Sequence, residues 1–151
     1  MSRDPTLLDT NVLIDALYKD SDHHPAARAL LEQAKQEDAG FCITPQVLAE
    51  FYAVVTHPRR VTHPKLPEEA LSAIGAFLAM PGMSLLLIPP DIVPRWMELV
   101  RRYPQHVMSR KIFDAQLVAT MLAHSVRRIY TFNVSDFSPF AEIEVIEPKA
   151  S

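Results

Sequence analysis

Four carboxylates in this 151-residue chain stand where an acid is either costly or well placed for ligand chemistry. Asp9 ends the apolar run Thr6-Leu7-Leu8, just before a second run, Val12-Leu13-Ile14. At about 100° per residue, Asp114 falls inside the arc of Phe113, Leu117, Val118, Met121 and Leu122. Glu50 is three residues from Val47 and four from Val54, at the edge of another apolar stripe. Asp136 follows a further apolar run, in Asn133-Val134-Ser135-Asp136-Phe137. An acid on a core-facing surface costs several kcal/mol unless something compensates it. An arginine partner or a capping role would account for any one of them. No basic residue occupies matching inward positions that would neutralise all four. A divalent cation is the economical answer, because Mg²⁺ or Mn²⁺ prefers oxygen ligands and keeps several waters. Such an ion activates water and stabilises charge on a phosphate during in-line displacement.

The elements that must position these acids follow from periodicity. Thr6 to Leu8 reads as a buried strand stopping at Asp9, with a helix after it capped by Thr10 or Asn11. Ala26, Ala27, Leu30, Leu31 and Ala34 predict a helix over His24 to Gln36, with Gly40 as its stop. Phe41-Cys42-Ile43 is a second strand, and Thr44-Pro45 opens a helix to about Thr56. Three prolines between His57 and Pro67 impose a loop. Helix resumes from Pro67 to Met80, with Ala70, Leu71, Ile74, Phe77 and Leu78 in period, and Pro81-Gly82 breaks it. Ser84 to Ile88 is a third strand, and Asp91 caps a helix through Trp96, Leu99 and Val100. Ser109 precedes a helix to about His124, and Arg128–Phe132 and Ile143–Ile146 supply the last strands. Strands alternating with helices predict an α/β fold around a mostly parallel sheet. With no repeat, low-complexity tract or linker, residues 1–151 read as one domain.

Composition narrows the classes. Fifteen Lys and Arg against eighteen Asp and Glu give a net charge of −3, so no global basic field draws in nucleic acid. A nucleic-acid ligand would have to be met by a local patch or a bound metal. A 48% hydrophobic and 22% charged chain folds rather than staying disordered. Cys42, the single cysteine, forms no internal disulfide or zinc site by itself and suits a reducing cytoplasm. No apolar run approaches the roughly 20 residues that span a bilayer. Asp4 and Asp9 stand where a signal peptide would be basic and then apolar. The expectation is a cytoplasmic protein with no membrane partner.

Leu7-Leu8-Asp9-Thr10-Asn11-Val12-Leu13-Ile14-Asp15 resembles the opening motif of PIN domains. Leu48-Ala49-Glu50-Phe51 resembles their second acidic segment, and Phe113-Asp114-Ala115-Gln116-Leu117-Val118-Ala119 the third. Ile129-Tyr130-Thr131-Phe132-Asn133-Val134-Ser135-Asp136-Phe137 resembles the closing one. Four motifs in order, with matching length and element order, extend the resemblance over nearly the whole chain. It is nearest to the VapC-type toxins of bacterial toxin–antitoxin pairs, one subgroup of which has a stretch like Pro58-Arg59-Arg60-Val61-Thr62.

The resemblance implies a three-layer sandwich, with helices on both faces of a sheet of about five strands. It also implies a Mg²⁺-dependent endoribonuclease that cuts structured RNA, tRNA or ribosomal RNA, and so stops translation. A homodimer and a cognate VapB antitoxin, whose C-terminal segment fills the active-site groove, come with it. Carried over, Asp9 and Asp114 are the principal metal ligands, and Glu50 is a ligand or orients the attacking water. The family's fourth acid lies directly after the last motif's strand, here Asn133, or three residues later, here Asp136. Charge favours Asp136, with Asn133 in a positioning role. Thr10 and Thr131 are candidates for hydrogen bonds to the carboxylates.

Arg59, Arg60, Arg101, Arg102, Arg110 and Lys111 are candidate contacts to an RNA backbone, although each taken alone reads first as a plain solvated charge. Arg110 and Lys111 are favoured, because they immediately precede the Asp114 helix. A phosphoryl-acceptor receiver domain would need a central Asp after a middle strand and a partner Lys, and neither is evident. A haloacid-dehalogenase-like phosphatase would want Asp at the position of Asn11. A non-catalytic RNA-binding relative would lack some of the four acids. A housekeeping RNA-processing nuclease would lack a neighbouring antitoxin gene.

Overall fold

A computed structural model describes residues 3–150. Five strands form one sheet: β1 (Thr6–Leu8), β2 (Phe41–Ile43), β3 (Met83–Leu85), β4 (Arg128–Tyr130) and β5 (Glu144–Ile146). Their spatial order is β3-β2-β1-β4-β5, and every neighbouring pair is parallel. Helices α1 (Thr10–Asp15) and α2 (His24–Gln33) connect β1 to β2. Helices α3 (Pro45–Val55) and α4 (Pro67–Ala79) connect β2 to β3. Helices α5 (Ile92–Arg102) and α6 (Ile112–Ala123) carry the chain back across the sheet to β4, and the short α7 (Val134–Phe137) leads to β5.

The strand order dictates where the helices go. Right-handed crossovers from β1 to β2 and from β2 to β3 progress in one direction and place α1 to α4 on one face. The connections from β3 to β4 and onward run the opposite way, which places α5, α6 and α7 on the other. Both faces of the central strand are covered, since Thr6, Leu7 and Leu8 alternate sides and are all buried. The direction reverses between β1 and β4. In such sheets the crevice beyond the carboxyl ends at that switch point is where ligands bind. Asp9 ends one of those two strands, and Thr131, Asn133 and Asp136 follow the other.

Most expected elements are present, and the departures have local reasons. The cap of α1 is neither Thr10 nor Asn11: the Asp9 carboxylate accepts from the Thr10 N–H at 2.8 Å. At α3 the cap is Thr44, whose hydroxyl accepts from the Val47 N–H at 3.1 Å with Pro45 in the first turn. Asp91 occupies the N-cap position of α5 as expected, but its carboxylate makes no capping bond and instead accepts from the Arg95 guanidinium at 3.0 Å. The third strand is shifted to Met83–Leu85, leaving Leu87 and Ile88 exposed before Pro89. Helix α2 ends at Gln33, and a 3-10 turn over Glu37–Ala39 follows it. Gly82 is required, since a Cβ there would lie 2.3 Å from the Gln36 carbonyl oxygen. Periodicity counted Leu71 and Leu78 as core residues of α4, yet both are exposed, and Ala70 and Phe77 alone are fully buried.

Candidate active site

The turn after β1 places Asp9 at the sheet's carboxyl edge, only 8% exposed. Three donors converge on it. The Thr10 N–H reaches one oxygen at 2.8 Å, while the Thr131 hydroxyl at 2.8 Å and the Asn11 Nδ2 at 3.2 Å reach the other. The Thr131 hydroxyl also accepts from the Asn11 Nδ2 at 3.1 Å and from the Asn133 N–H at 3.0 Å. Both of its lone pairs are therefore used, and its single proton is committed to Asp9. Asn11 is fixed in turn, because its Oδ1 accepts the Phe132 N–H at 3.1 Å and so its amide nitrogen faces the acid. Burial raises the Asp9 carboxyl to about 6, against the lowering effect of the Thr131 and Thr10 bonds and with help from the charges of Glu50 and Asp136.

Glu50 stands on α3 across the groove. Helical arithmetic set it on the rim of the apolar stripe; the structure leaves it exposed, facing the groove and not the core. Its carboxylate accepts from the Thr10 hydroxyl at 3.0 Å and from Gln46 Nε2 at 3.2 Å. The same Gln46 nitrogen donates to the Phe113 carbonyl at 3.0 Å, which ties α3 to the start of α6. Phe113 itself is 50% exposed and lines the groove instead of joining the α6 core face. At the first turn of that helix the groove side, not the sheet, lies beneath the ring.

Asp114 is also on that first turn, with its side chain 26% exposed. Burial, reinforced by the Asp136 charge, raises it to about 7; Lys111 opposes the shift, and Asp9 and Glu50 add to it. Asp136, on α7, pairs with the Lys111 ammonium, which lies 3.9 Å from the Asp114 carboxylate. The His106 Nε2 donates to the Asp136 carbonyl at 3.0 Å, and the same imidazole packs edge-on against Phe140.

One groove thus brings together Asp9, Glu50, Asp114 and Asp136, with Thr10, Asn11 and Asn133 in its wall. Among the expected cations, Arg60 and Arg110 line it. Arg59, Arg101 and Arg102 do not, and Arg102 is engaged by Glu142 at 2.6 Å. Lys111 turns toward the acids. Asn11, Gln46 and His106 were missed as positioning residues. The Asp9-x-Asn11 spacing was the only local signal for the first, and the other two act through contacts across elements.

A PIN-domain family model matches residues 6–142. Ribonuclease VapC24 of Mycobacterium tuberculosis is 32% identical over 145 residues, covering 95% of this chain and 97% of that protein. Two solved structures share the fold with a TM-score of 0.69 each and cover 95% of this chain. They are VapBC2 of Rickettsia felis bound to a promoter DNA fragment, at 19% identity and 98% of its chain, and the Mycobacterium tuberculosis toxin VapC20, described as cleaving the sarcin–ricin loop, at 17% and 99%. At such identities these two likenesses concern the fold. Taken with the strand order and the acids gathered at its switch point, the matches establish that the chain belongs to the PIN-domain family, alongside the VapC ribonucleases.

Proposed function

We propose that this protein is a metal-dependent endoribonuclease, the toxin of a toxin–antitoxin pair, and that it hydrolyses phosphodiester bonds of structured RNA to arrest translation. The observation that carries this reading is the convergence of Asp9, Glu50, Asp114 and Asp136 on one groove that Arg60 and Arg110 also line. As they stand, no three His, Cys, Asp or Glu side chains among the described residues are close enough to enclose an ion. The donor set nevertheless fits Mg²⁺ or Mn²⁺, which keep several waters and need only one or two carboxylates directly. Two acids raised by burial and by the charges of neighbouring acids are groups that a cation would relieve.

In this reading Asp9 and Asp114 would hold the metal, with Asp136 and Glu50 completing its surroundings. A bound divalent cation would supply a nucleophilic water near neutral pH and a sink for charge on the phosphate. Asp9 presents a fixed oxygen, because three donors set its rotamer. Glu50, oriented by Thr10 and Gln46 and open to the groove, is placed to accept the attacking water's proton. Arg60 and Arg110 hold the flanking phosphates, and Asn133 sits in the wall where the backbone passes.

Structured RNA, tRNA or ribosomal RNA, is the proposed substrate, in line with the sarcin–ricin loop activity ascribed to VapC20. A VapB-type antitoxin is the proposed partner, since toxin–antitoxin complexes share this fold. A homodimer is proposed from the family, and large apolar side chains exposed on α4 (Leu71, Leu78), after β3 (Leu87, Ile88) and on α5 (Val93) are candidates for its interface. No helix among the described residues is long and apolar enough to cross a membrane. The site of action proposed is the cytoplasm, over residues 1–151 as one domain.

The test is a cleavage assay on total tRNA and ribosomal RNA, with Mg²⁺ or chelator, beside Asp114→Asn. Discrete fragments that require both the metal and Asp114 are expected. A folded wild-type protein that binds Mn²⁺ yet cuts neither RNA would overturn the substrate. One that binds no metal would overturn the mechanism in favour of a non-catalytic RNA-binding role.

A further inference from the structure

The site contains a cation of its own. Lys111 is ion-paired with Asp136 and lies 3.9 Å from Asp114, while its stem remains 41% exposed. Among the described residues no other Lys, Arg or His forms an ion pair with Asp9, Glu50, Asp114 or Asp136. Its neighbour Arg110 lines the same groove without such a pair. Two features fix the placement. Ser109 adopts a left-handed conformation, φ 54°, which turns the chain into a 3-10 turn over Ser109–Lys111 and then directly into α6. On the other side, α7 is held by the His106 bond to the Asp136 carbonyl at 3.0 Å, so the Asp136 backbone does not depend on Lys111.

We infer that Lys111 is a tethered counter-ion for the metal-free site: it gathers Asp114 and Asp136 when no metal is present and has to release Asp136 before that carboxylate can serve a metal. This rests on the metal-site reading above. Two half-exposed acids on adjoining helices repel each other, and a flexible ammonium between them offsets that repulsion without the geometry that a metal requires. A divalent cation arriving beside the same two carboxylates meets the ammonium's charge and competes for one of its ligands. Lys111 therefore favours the metal-free protein and weakens metal binding.

The experiment is calorimetric titration of the full-length protein with Mn²⁺ alone, in the absence of RNA, for wild type, Lys111→Met, Lys111→Arg and Arg110→Met. Lys111→Met keeps the apolar stem and is expected to bind Mn²⁺ at least about fivefold more tightly, from removal of one like charge and one competing pair. Its melting temperature in chelator should fall, and the rise on adding Mn²⁺ should exceed that of wild type. Lys111→Arg, which keeps the charge, should bind as wild type does. Arg110→Met removes the same charge from the groove without freeing a carboxylate and should gain less than about twofold. Unchanged or weaker binding by Lys111→Met overturns the inference, as does an equal gain in Arg110→Met. Wild type and every variant failing to bind Mn²⁺ overturns the metal site itself and this inference with it, whereas wild-type binding that Lys111→Met leaves unmoved overturns the inference alone.

Discussion

Asp9 and Asp114 face the same groove, yet Asp9 receives three hydrogen bonds while Asp114, among the described residues, receives none. The β1–β4 side is held by neutral donors: a backbone N–H, an amide and a hydroxyl whose own lone pairs are occupied. The α6–α7 side is held by a charge, the ammonium of Lys111. Neutral donors fix an oxygen's position whatever occupies the site. A cation fixes it only until another cation arrives. One side is therefore built for position and the other for exchange, and this difference can be tested.

The largest effect is expected where the two sides agree on activity and part on stability. Asp9→Asn and Asp114→Asn should each lower RNA cleavage about a thousandfold, as removal of one preorganised charge-stabilising group typically does. In chelator at pH 8 they should diverge. Asp9→Asn turns an amide toward two donors and leaves the Thr131 and Asn11 protons without an acceptor, at a cost of about 1–3 kcal/mol. Asp114→Asn removes a partly buried charge that burial and neighbouring acids disfavour more than Lys111 favours it, and should leave unfolding free energy unchanged or higher. Equal destabilisation by urea titration would erase the distinction between the two sides.

A smaller effect sharpens the neutral-donor side. Thr131 is fully buried, and its hydroxyl links Asp9, Asn11 and the Asn133 N–H. Thr131→Val keeps the shape but removes one of the three bonds to a buried carboxylate and leaves the Asn133 N–H without its acceptor, for an expected loss of about 2 kcal/mol. Thr10→Val removes one bond to the exposed Glu50 and should cost less than about 1 kcal/mol. A kcat loss with little change in KM is expected for both, since each orients an acid and touches no RNA. Equal stability losses would mean that burial of the acid, Asp9 against Glu50, does not set the value of its partner.

What could be read from the sequence follows the same division. The alternation of apolar runs and helical periods was enough for a five-strand α/β fold, because buried parallel strands leave near-continuous apolar triplets such as Thr6–Leu8 and Phe41–Ile43. Asp9 and Asp114 stood out because an acid inside an apolar pattern is costly. Periodicity puts Phe113 on the core side and Glu50 on its rim, whereas both face the groove, since a period of 3.6 defines a face but not what lies opposite it. Leu71 and Leu78 show the same ambiguity, because an apolar stripe does not say whether its own core or another surface covers it. Lys111 was read as a contact to RNA. Nothing in the order Arg110-Lys111 reveals that the left-handed Ser109 turns one cation to the acids and leaves the other along the groove. Positions set by single-element periodicity were legible. Bonds from Thr10 and Thr131 to the carboxylates are expected only through the family resemblance, and pairings across elements such as Lys111 with Asp136 or Gln46 with Phe113 are not legible at all.

A further effect tests the exchangeable side through pH. Burial raises Asp9 to about 6 and Asp114 to about 7 in the folded protein, against an ordinary value of 3.8. Between about pH 4 and pH 7 the folded state therefore holds more protons than the unfolded chain. By linkage, metal-free stability increases as pH falls through that window and is lost as pH rises through the folded values. Asp15, also raised by burial, adds in the same direction. The acids held low by partners, Glu32, Asp91 and Glu142, act oppositely, but only below their ordinary range, so a comparison of pH 8 with pH 5 avoids them. In chelator, wild type should gain about 3–4 kcal/mol on that step, and Asp114→Asn should gain less, the difference being the Asp114 contribution alone. Saturating Mn²⁺ should flatten or reverse the wild-type slope, because a metal bound at these acids displaces their protons. A slope identical in wild type and Asp114→Asn would place the burden of buried charge on Asp9, and the side held by neutral donors would then be the strained one.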